Sequence, residues 1–230
     1  MAKITWAGQA CFQILFSNSK DHQASVVIDP FDEKIGLKIP NFEADVLLVT
    51  HQHHDHNNIK AVKPTNTAPG KAKQDGVFLV DGPGEYEIKR VYIQGIDSFH
   101  DDSEGKERGK NTIYVIESEN MRFCHLGDLG QKQLTDEQLE KIGSIDVLMI
   151  PVGGTYTISF NESPKIIGQI EPKIVIPMHY QIPKLNLNLD DVDKFVKIMG
   201  KEAIEPQDKL VIKNGNLPKE GELQIFILKP

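Results

Sequence analysis

Cysteine is nearly absent from this chain: Cys11 and Cys124 are its only two, far apart and each in an apolar, strand-like stretch. That excludes a disulfide framework and gives no thiolate spacing for a metal cluster. The pair reads as reduced, buried thiols of a cytosolic protein. Long apolar runs are missing too. None approaches the roughly 20 residues that cross a bilayer, and Met1 to Gly8 lacks the apolar core of a secretory signal. The expected location is the cytoplasm, with no membrane partner. Basic residues are outnumbered, 26 Lys and Arg against 33 Asp and Glu, for a formal charge of −7. This argues against a nucleic-acid backbone as the main partner, since Lys106, Arg108 and Lys110 alternate with acids and glycine. There is no short-period repeat and no low-complexity stretch.

What remains is ordinary globular composition, 39% hydrophobic and 26% charged. At 230 residues, positions 1–230 are read as one domain. Short β-branched runs fill the first half: residues 11–16, 25–29, 46–50, 77–80 and 91–96. Segments 112–117 and 121–125 read as a hairpin closed by Ser118-Glu119-Asn120. The second half changes character. Thr135-Asp136-Glu137-Gln138 is a capping-box pattern opening a helix to Ile142, and further helices are predicted over 163–170 and 189–199. Strands are predicted at 146–151, 173–177, 209–212 and 223–228. Meanders followed by β-α-β alternation do not match a plain dinucleotide-binding sheet. They fit two sheets with helices on the outer faces.

The chemistry concentrates at one place. The apolar strand Val46-Leu47-Leu48-Val49-Thr50 runs into His51-Gln52-His53-His54-Asp55-His56-Asn57. Four histidines and one aspartate within six residues, out of eight histidines in the chain, point to a metal site rather than a solvated turn. In the spacing His-x-His-x-Asp-His, His51 and His53 can converge on one ion while Asp55 and His56 turn toward a second. His54 falls at a spacer position and is expected to face away.

This motif after an apolar strand resembles the signature of the metallo-β-lactamase superfamily, and other elements flank it in the expected order. Val26-Val27-Ile28-Asp29-Pro30 ends a strand in Asp29, His125-Leu126-Gly127-Asp128 supplies a Gly-Asp pair, and Ile174-Val175-Ile176-Pro177-Met178-His179-Tyr180 supplies a final histidine. The resemblance spans residues 29–179 and implies a four-layer αββα sandwich of two mixed sheets. It implies two divalent ions, zinc first, with manganese or iron as options. One ion would be held by His51, His53 and His100, the other by Asp55, His56 and His179, with Asp128 bridging them; Asp55 and Asp128 are the catalytic carboxylates. For the middle histidine, His100 in Ser98-Phe99-His100 is preferred on motif order, with His125 as its rival. Asp29 is expected to orient the site without binding metal, and Tyr180 either faces the pocket or packs.

Pro83-Gly84-Glu85-Tyr86-Glu87-Ile88, together with the His100, Asp128 and His179 segments, is similar to cytosolic hydrolases related to ascorbate-6-phosphate lactonase. The resemblance therefore implies a metal-dependent hydrolase acting on a small anionic ester, lactone or phosphodiester. The alternatives are a non-hydrolytic diiron oxidoreductase and a catalytically silent metal-binding protein. A small-molecule substrate is the expected partner, and a homo-oligomer stays open. The loop from Asp97 to Lys110 reads as a rim beside the site, and Gly153-Gly154-Thr155 as a turn.

Overall fold

The computed structural model describes residues 1–19, 22–65, 76–219 and 221–230. Two mixed sheets carry the fold. The first has six strands, built from β1 (Ala2–Gly8), β2 (Cys11–Ser19), β3 (His22–Ile28), β5 (Val46–Leu48), β7 (Phe78–Val80) and β14 (Leu210–Ile212), in the order β14-β1-β2-β3-β5-β7. The second has seven, β8 (Gly84–Ile88), β9 (Val91–Phe99), β10 (Lys110–Ser118), β11 (Met121–His125), β12 (Val147–Pro151), β13 (Ile174–Met178) and β15 (Gln224–Ile225), in the order β15-β13-β12-β11-β10-β9-β8. A parallel pair, β4 (Phe42–Ala44) and β6 (Val62–Pro64), lies apart from both. Three α-helices occur among the described residues: α1 (Asp136–Ile142), α2 (Ser163–Ile170) and α3 (Val192–Ile198). This is the mixed α/β class expected from the pattern. None of these helices is long and apolar enough to cross a membrane.

In each sheet, antiparallel meanders give way to parallel strands: β3, β5 and β7 in the first, and β11, β12, β13 and β15 in the second. The inner faces meet through aromatic contacts, Phe16 against Phe123 at 5.3 Å and Phe12 against His125 at 5.7 Å between ring centres. Strand β1 alternates buried and half-buried residues, as a strand with only one face in the core should. Strands β12 and β13 are buried at every position. Helices α1 and α2 touch each other, and α1 lies against β9. Helix α1 starts as its pattern predicts: the Thr135 hydroxyl accepts from Gln138 N while the Gln138 side chain accepts from Thr135 N. Pro164 in the first turn of α2 removes a donor that would otherwise be orphaned.

Several elements depart from the sequence reading: β4 and β6 fall where no strand is predicted, and β15 covers only two residues of the predicted 223–228. Strand β1 carries too mixed a sequence, Lys-Ile-Thr-Trp, to read as a buried run, and β8 begins at Gly84 after Pro83, a dipeptide that ordinarily signals a turn. Strand β5 stops at Leu48: Val49 N still donates to Val80 O of β7, but Thr50 N leaves the ladder for the Asp29 carboxylate. Helix α3 begins only at Val192, since Gln181 and Gly153 engage the backbone of Asp190.

The parallel strands end together, and close backbone approaches fix the loops that leave them. At Gly130 an added Cβ would lie 2.4 Å from His100 C, and at Gly153 it would lie 2.1 Å from His179 O. We therefore expect Gly153→Ala to lower stability by about 1–3 kcal/mol in urea unfolding, the usual cost of overpacking. Gly168→Ala, in α2 with nothing within 4 Å of its Cβ, should raise it by about 0.5–1 kcal/mol. Equal effects at the two positions would contradict this account.

Candidate metal centre

Asp29, at the end of β3, is the clip around which the His-rich turn forms. Its Oδ1 accepts from Thr50 N at 2.8 Å, and its Oδ2 accepts from Thr50 Oγ1 at 2.7 Å and lies 2.9 Å from His56 Nδ1. One buried carboxylate thus ties both ends of the 51–56 turn to the neighbouring strand. It also sets two tautomers. The Thr50 hydroxyl gives its proton to Asp29, so at 3.0 Å it accepts from His51 Nδ1–H. His56 Nδ1–H donates to Asp29 itself. Both rings are therefore turned with Nε2 inward, and both Nε2 atoms are buried without a hydrogen-bond partner.

These atoms surround Asp128, which lies beyond the end of β11. The Asp128 Oδ2 is 3.2 Å from His179 Nε2, 3.3 Å from both His56 Nε2 and His100 Nε2, and 4.0 Å from His51 Nε2. Asp55 Oδ2 is 3.5 Å from His56 Nε2. Three sets have donor atoms mutually within 4.8 Å: His51, His53 and His100; His51, His56 and Asp128; and Asp55, His56 and His179. The fold thus brings together all seven residues singled out as ligands. His54 stands outside with its side chain 66% exposed, as a spacer position should.

His125 is placed elsewhere. Its Nδ1 accepts from Gly127 N at 3.1 Å, so its Nε2–H donates to Ala10 O at 2.9 Å. Both ring nitrogens are consumed in bracing the β11 end against the β1–β2 turn. Tyr180 packs as well: its ring lies 4.9 Å from that of Trp6, and its hydroxyl reaches Leu228 O at 3.4 Å. The pocket-facing option for Tyr180 is therefore overturned.

The electrostatics are those of a site suited to a cation. Burial and the neighbouring His56 push the His51 imidazole down to about 2, which keeps it neutral. Burial and the His100 charge likewise lower His53. For His56, burial works against protonation, but Asp128 and Asp29 overcome it and raise its pKa well above the usual range. Burial opposes ionisation of Asp128, yet the charges of His179 and His56 hold its carboxyl well below the usual carboxylate range. Seven buried side-chain polar atoms lack partners among the described residues; besides Gln9 Oε1, all belong to His51, His56, His100, Asp128 and His179. Leaving such atoms unpaired costs about 1–3 kcal/mol each. A divalent ion accepting those nitrogen and carboxylate lone pairs fits the set, and the donors suit zinc, manganese or iron.

A cavity of about 370 Å³ opens onto His51 and His53 and is walled by Asp81, Asp97, Arg108, Lys110 and Thr112 among others. The expected rim loop is real but shorter than read, because β9 continues to Phe99. The Asp101 carboxylate accepts from the backbone N–H groups of Ser103, Gly105, Glu107 and Arg108 and shapes the loop. It delivers the Arg108 guanidinium over the Tyr156 ring at 4.4 Å. Arg108 pairs with no carboxylate among the described residues, whereas Lys110 lies 3.4 Å from Asp97.

Reading by motif passed over three buried supports. Asn111 Oδ1 accepts from Asp128 N at 3.0 Å, Thr50 relays Asp29 to His51, and Gln9 Nε2 donates to Asp55 Oδ2 at 3.0 Å. None of the three carries a local sequence signal.

Two packed mixed sheets with a His/Asp cluster at their strand ends define a metal-centre protein of the metallo-β-lactamase type. A profile for the beta-lactamase superfamily domain matches residues 3–179. The chain belongs to that superfamily. It is 37% identical, with both chains fully covered and a TM-score of 0.74, to a Thermotoga maritima protein described as a Zn-dependent hydrolase of the metallo-β-lactamase superfamily. It is 28% identical over 94% of its length, and 99% of the relative's, to a protein of Thermococcus onnurineus named as a metal-dependent hydrolase. A Thermoplasma volcanium protein of the same name is 30% identical over 77% of this chain and 83% of its own.

The raised pKa of His56 has a measurable consequence. A proton held at neutral pH must leave before Nε2 can bind a cation. Zinc uptake at pH 7 should therefore release protons, and affinity should fall as pH falls. Calorimetric titration in two buffers of different ionisation enthalpy should give different heats; buffer-independent heats would contradict the assignment.

Proposed function

We propose that the chain is a metal-dependent hydrolase acting on a small anionic ester, lactone or phosphodiester. The observation that carries this reading is the set of buried, unpartnered nitrogen and carboxylate atoms around Asp128, open on one side to a cavity. In this reading His51, His53 and His100 hold one divalent ion, Asp55, His56 and His179 hold a second, and Asp128 lies between them. The ions, when bound, supply a Lewis acid and a water acidic enough to serve as nucleophile near neutral pH. The protein's own work is to hold the ligands. Asp29 fixes the tautomers of His51 (through Thr50) and His56, and Asn111 fixes the backbone of Asp128.

Arg108 supports the anionic substrate class. Its guanidinium is held by a ring face rather than by a carboxylate, so it remains available to a carboxylate or phosphate on the cavity wall. Location in the cytoplasm is supported by two buried, unpaired cysteines. A small-molecule substrate is in keeping with a cavity of about 370 Å³, within the size range of pockets that hold small ligands. A homo-oligomer is compatible with this reading.

The test combines metal analysis with a hydrolysis screen. Two equivalents of zinc or manganese with cleavage of a phosphodiester, ester or lactone supports the proposal. A coloured, redox-active diiron protein would overturn it in favour of an oxidoreductase, and a metal-free, inert protein would favour a silent binding role. Replacing His100 by Ala should remove one equivalent of metal, whereas His125→Ala should leave metal content intact and cost stability. The reverse pattern would sink the ligand assignment. Arg108→Ala should raise KM by about tenfold for an anionic substrate, with little change in kcat, as expected for the loss of one charge-assisted contact.

A further inference from the structure

The turn between β1 and β2 touches the candidate centre in more than one place, and Gln9 is its focus. The residue is fully buried and has φ of 53°, a left-handed conformation that is uncommon outside glycine and asparagine. Its backbone carbonyl accepts from Trp6 Nε1 at 2.9 Å and from the backbone N–H of His179 at 3.0 Å. Its side-chain amide donates to Asp55 Oδ2 at 3.0 Å. One residue therefore fixes two members of the Asp55, His56 and His179 group, one by main chain and one by side chain.

The orientation of that amide is dictated by chemistry. An ionised carboxylate only accepts, so the –NH2 end of Gln9 must face Asp55. The carbonyl end is then committed to the other side, where Oε1 is buried without a donor. A left-handed backbone and an unpaired buried acceptor both cost free energy. The hairpin accounts for the backbone, since Gln9 is the first residue of the two-residue β1–β2 turn, but it does not account for the unpaired Oε1, because an alanine would satisfy the same main-chain bonds.

We infer that Gln9 is a positioning residue for the Asp55–His56–His179 metal group, with Nε2 orienting the Asp55 carboxylate and Oε1 accepting from a water or substrate hydroxyl held there. The inference rests on the dinuclear reading proposed above. It makes the two metal groups unequal: Gln9 bonds to none of His51, His53 or His100, so its loss should weaken one equivalent and spare the other.

The experiment is a zinc titration of the full chain against a chromophoric chelator, in wild type and in Gln9→Met, which keeps the side-chain length and removes donor and acceptor together. The expected result is two resolved affinities in wild type. In Gln9→Met one of the two should fall 10- to 100-fold, the usual effect of losing a partner of a metal ligand, and the other should stay within about twofold. Should Gln9→Met not fold, Gln9→Asn carries the same test. Asparagine accommodates the left-handed backbone, keeps an amide and is one methylene too short to reach Asp55. Two unchanged affinities, or two that fall together, would overturn the role of Gln9 while leaving the dinuclear reading intact. Fewer than two equivalents in wild type would overturn both.

Discussion

Asp128 is a buried anion whose Oδ2 sits within 4.0 Å of four imidazole nitrogens. Its neighbourhood cannot be neutral, dry and satisfied at once. Among the protein's own groups the balance is struck by protonating His56, which then lies between Asp29 and Asp128. His51 Nε2, His100 Nδ1 and both ring nitrogens of His179 are left unpaired. Burying polar atoms without partners is among the most expensive things a core can do. The surrounding sheets must supply enough apolar burial to tolerate it. They do so with strands such as β12 and β13, which have no exposed position, and with an aromatic seam between the inner faces.

The topology explains how such a cluster is assembled from distant segments. Asp29, the start of the 51–56 turn, Asp128 and His179 all lie within three residues of the ends of strands that run parallel to a neighbour. His100 arrives from the antiparallel side, at the end of β9. The joins are made by backbone in unusual conformations. Asp29 has φ of 47°, His179 of 52° and Gln9 of 53°. Strain of this kind persists only where the surroundings over-determine it. Here each strained residue is held by hydrogen bonds to a different element: Asp29 to Thr50 and His56, His179 to Gln9, and Gln9 to Asp55.

That arrangement explains how much of the site is legible in the sequence. His51 to His56 and Asp29 are legible because their chemistry is local: a hydrophobic run ends and a polar residue begins. The helix at Thr135 is legible because a capping box is a four-residue device. The choice between His100 and His125 is not settled by spacing, since both lie at the ends of strands of similar composition. What separates them is direction, with His125 facing Ala10 and His100 facing Asp128. Gln9, Asn111 and Asp101 are invisible for a related reason. Gln9 meets Asp55 across 46 residues and Asn111 meets Asp128 across 17, and a single polar residue in a turn or strand announces neither. Asp101 reads as one acid among many in a charged loop, whereas its carboxylate organises the loop through four backbone donors.

Exposure divides the cluster into a shallow and a deep half. His53 is half-buried and lines the cavity together with His51. His56 and His179 have no exposed surface, and His179 bonds to the β1–β2 turn through Gln9 O. A molecule entering from solvent therefore meets the His51–His53 side first, between Arg108 and Lys110 on one wall and Asp81 and Gly82 on another. Lys110 is already balanced by Asp97, so Arg108 supplies the wall's uncompensated positive charge. The loop that carries it is pinned by Asp101, next in sequence to His100. Position of the cation and position of the ligand histidine are thereby set by one short segment, with Gly130 pressing on its backbone at the His100–Asp101 step. Geometry at the metal group and reach along the cavity wall cannot vary independently, so a change in loop 100–109 should alter both together.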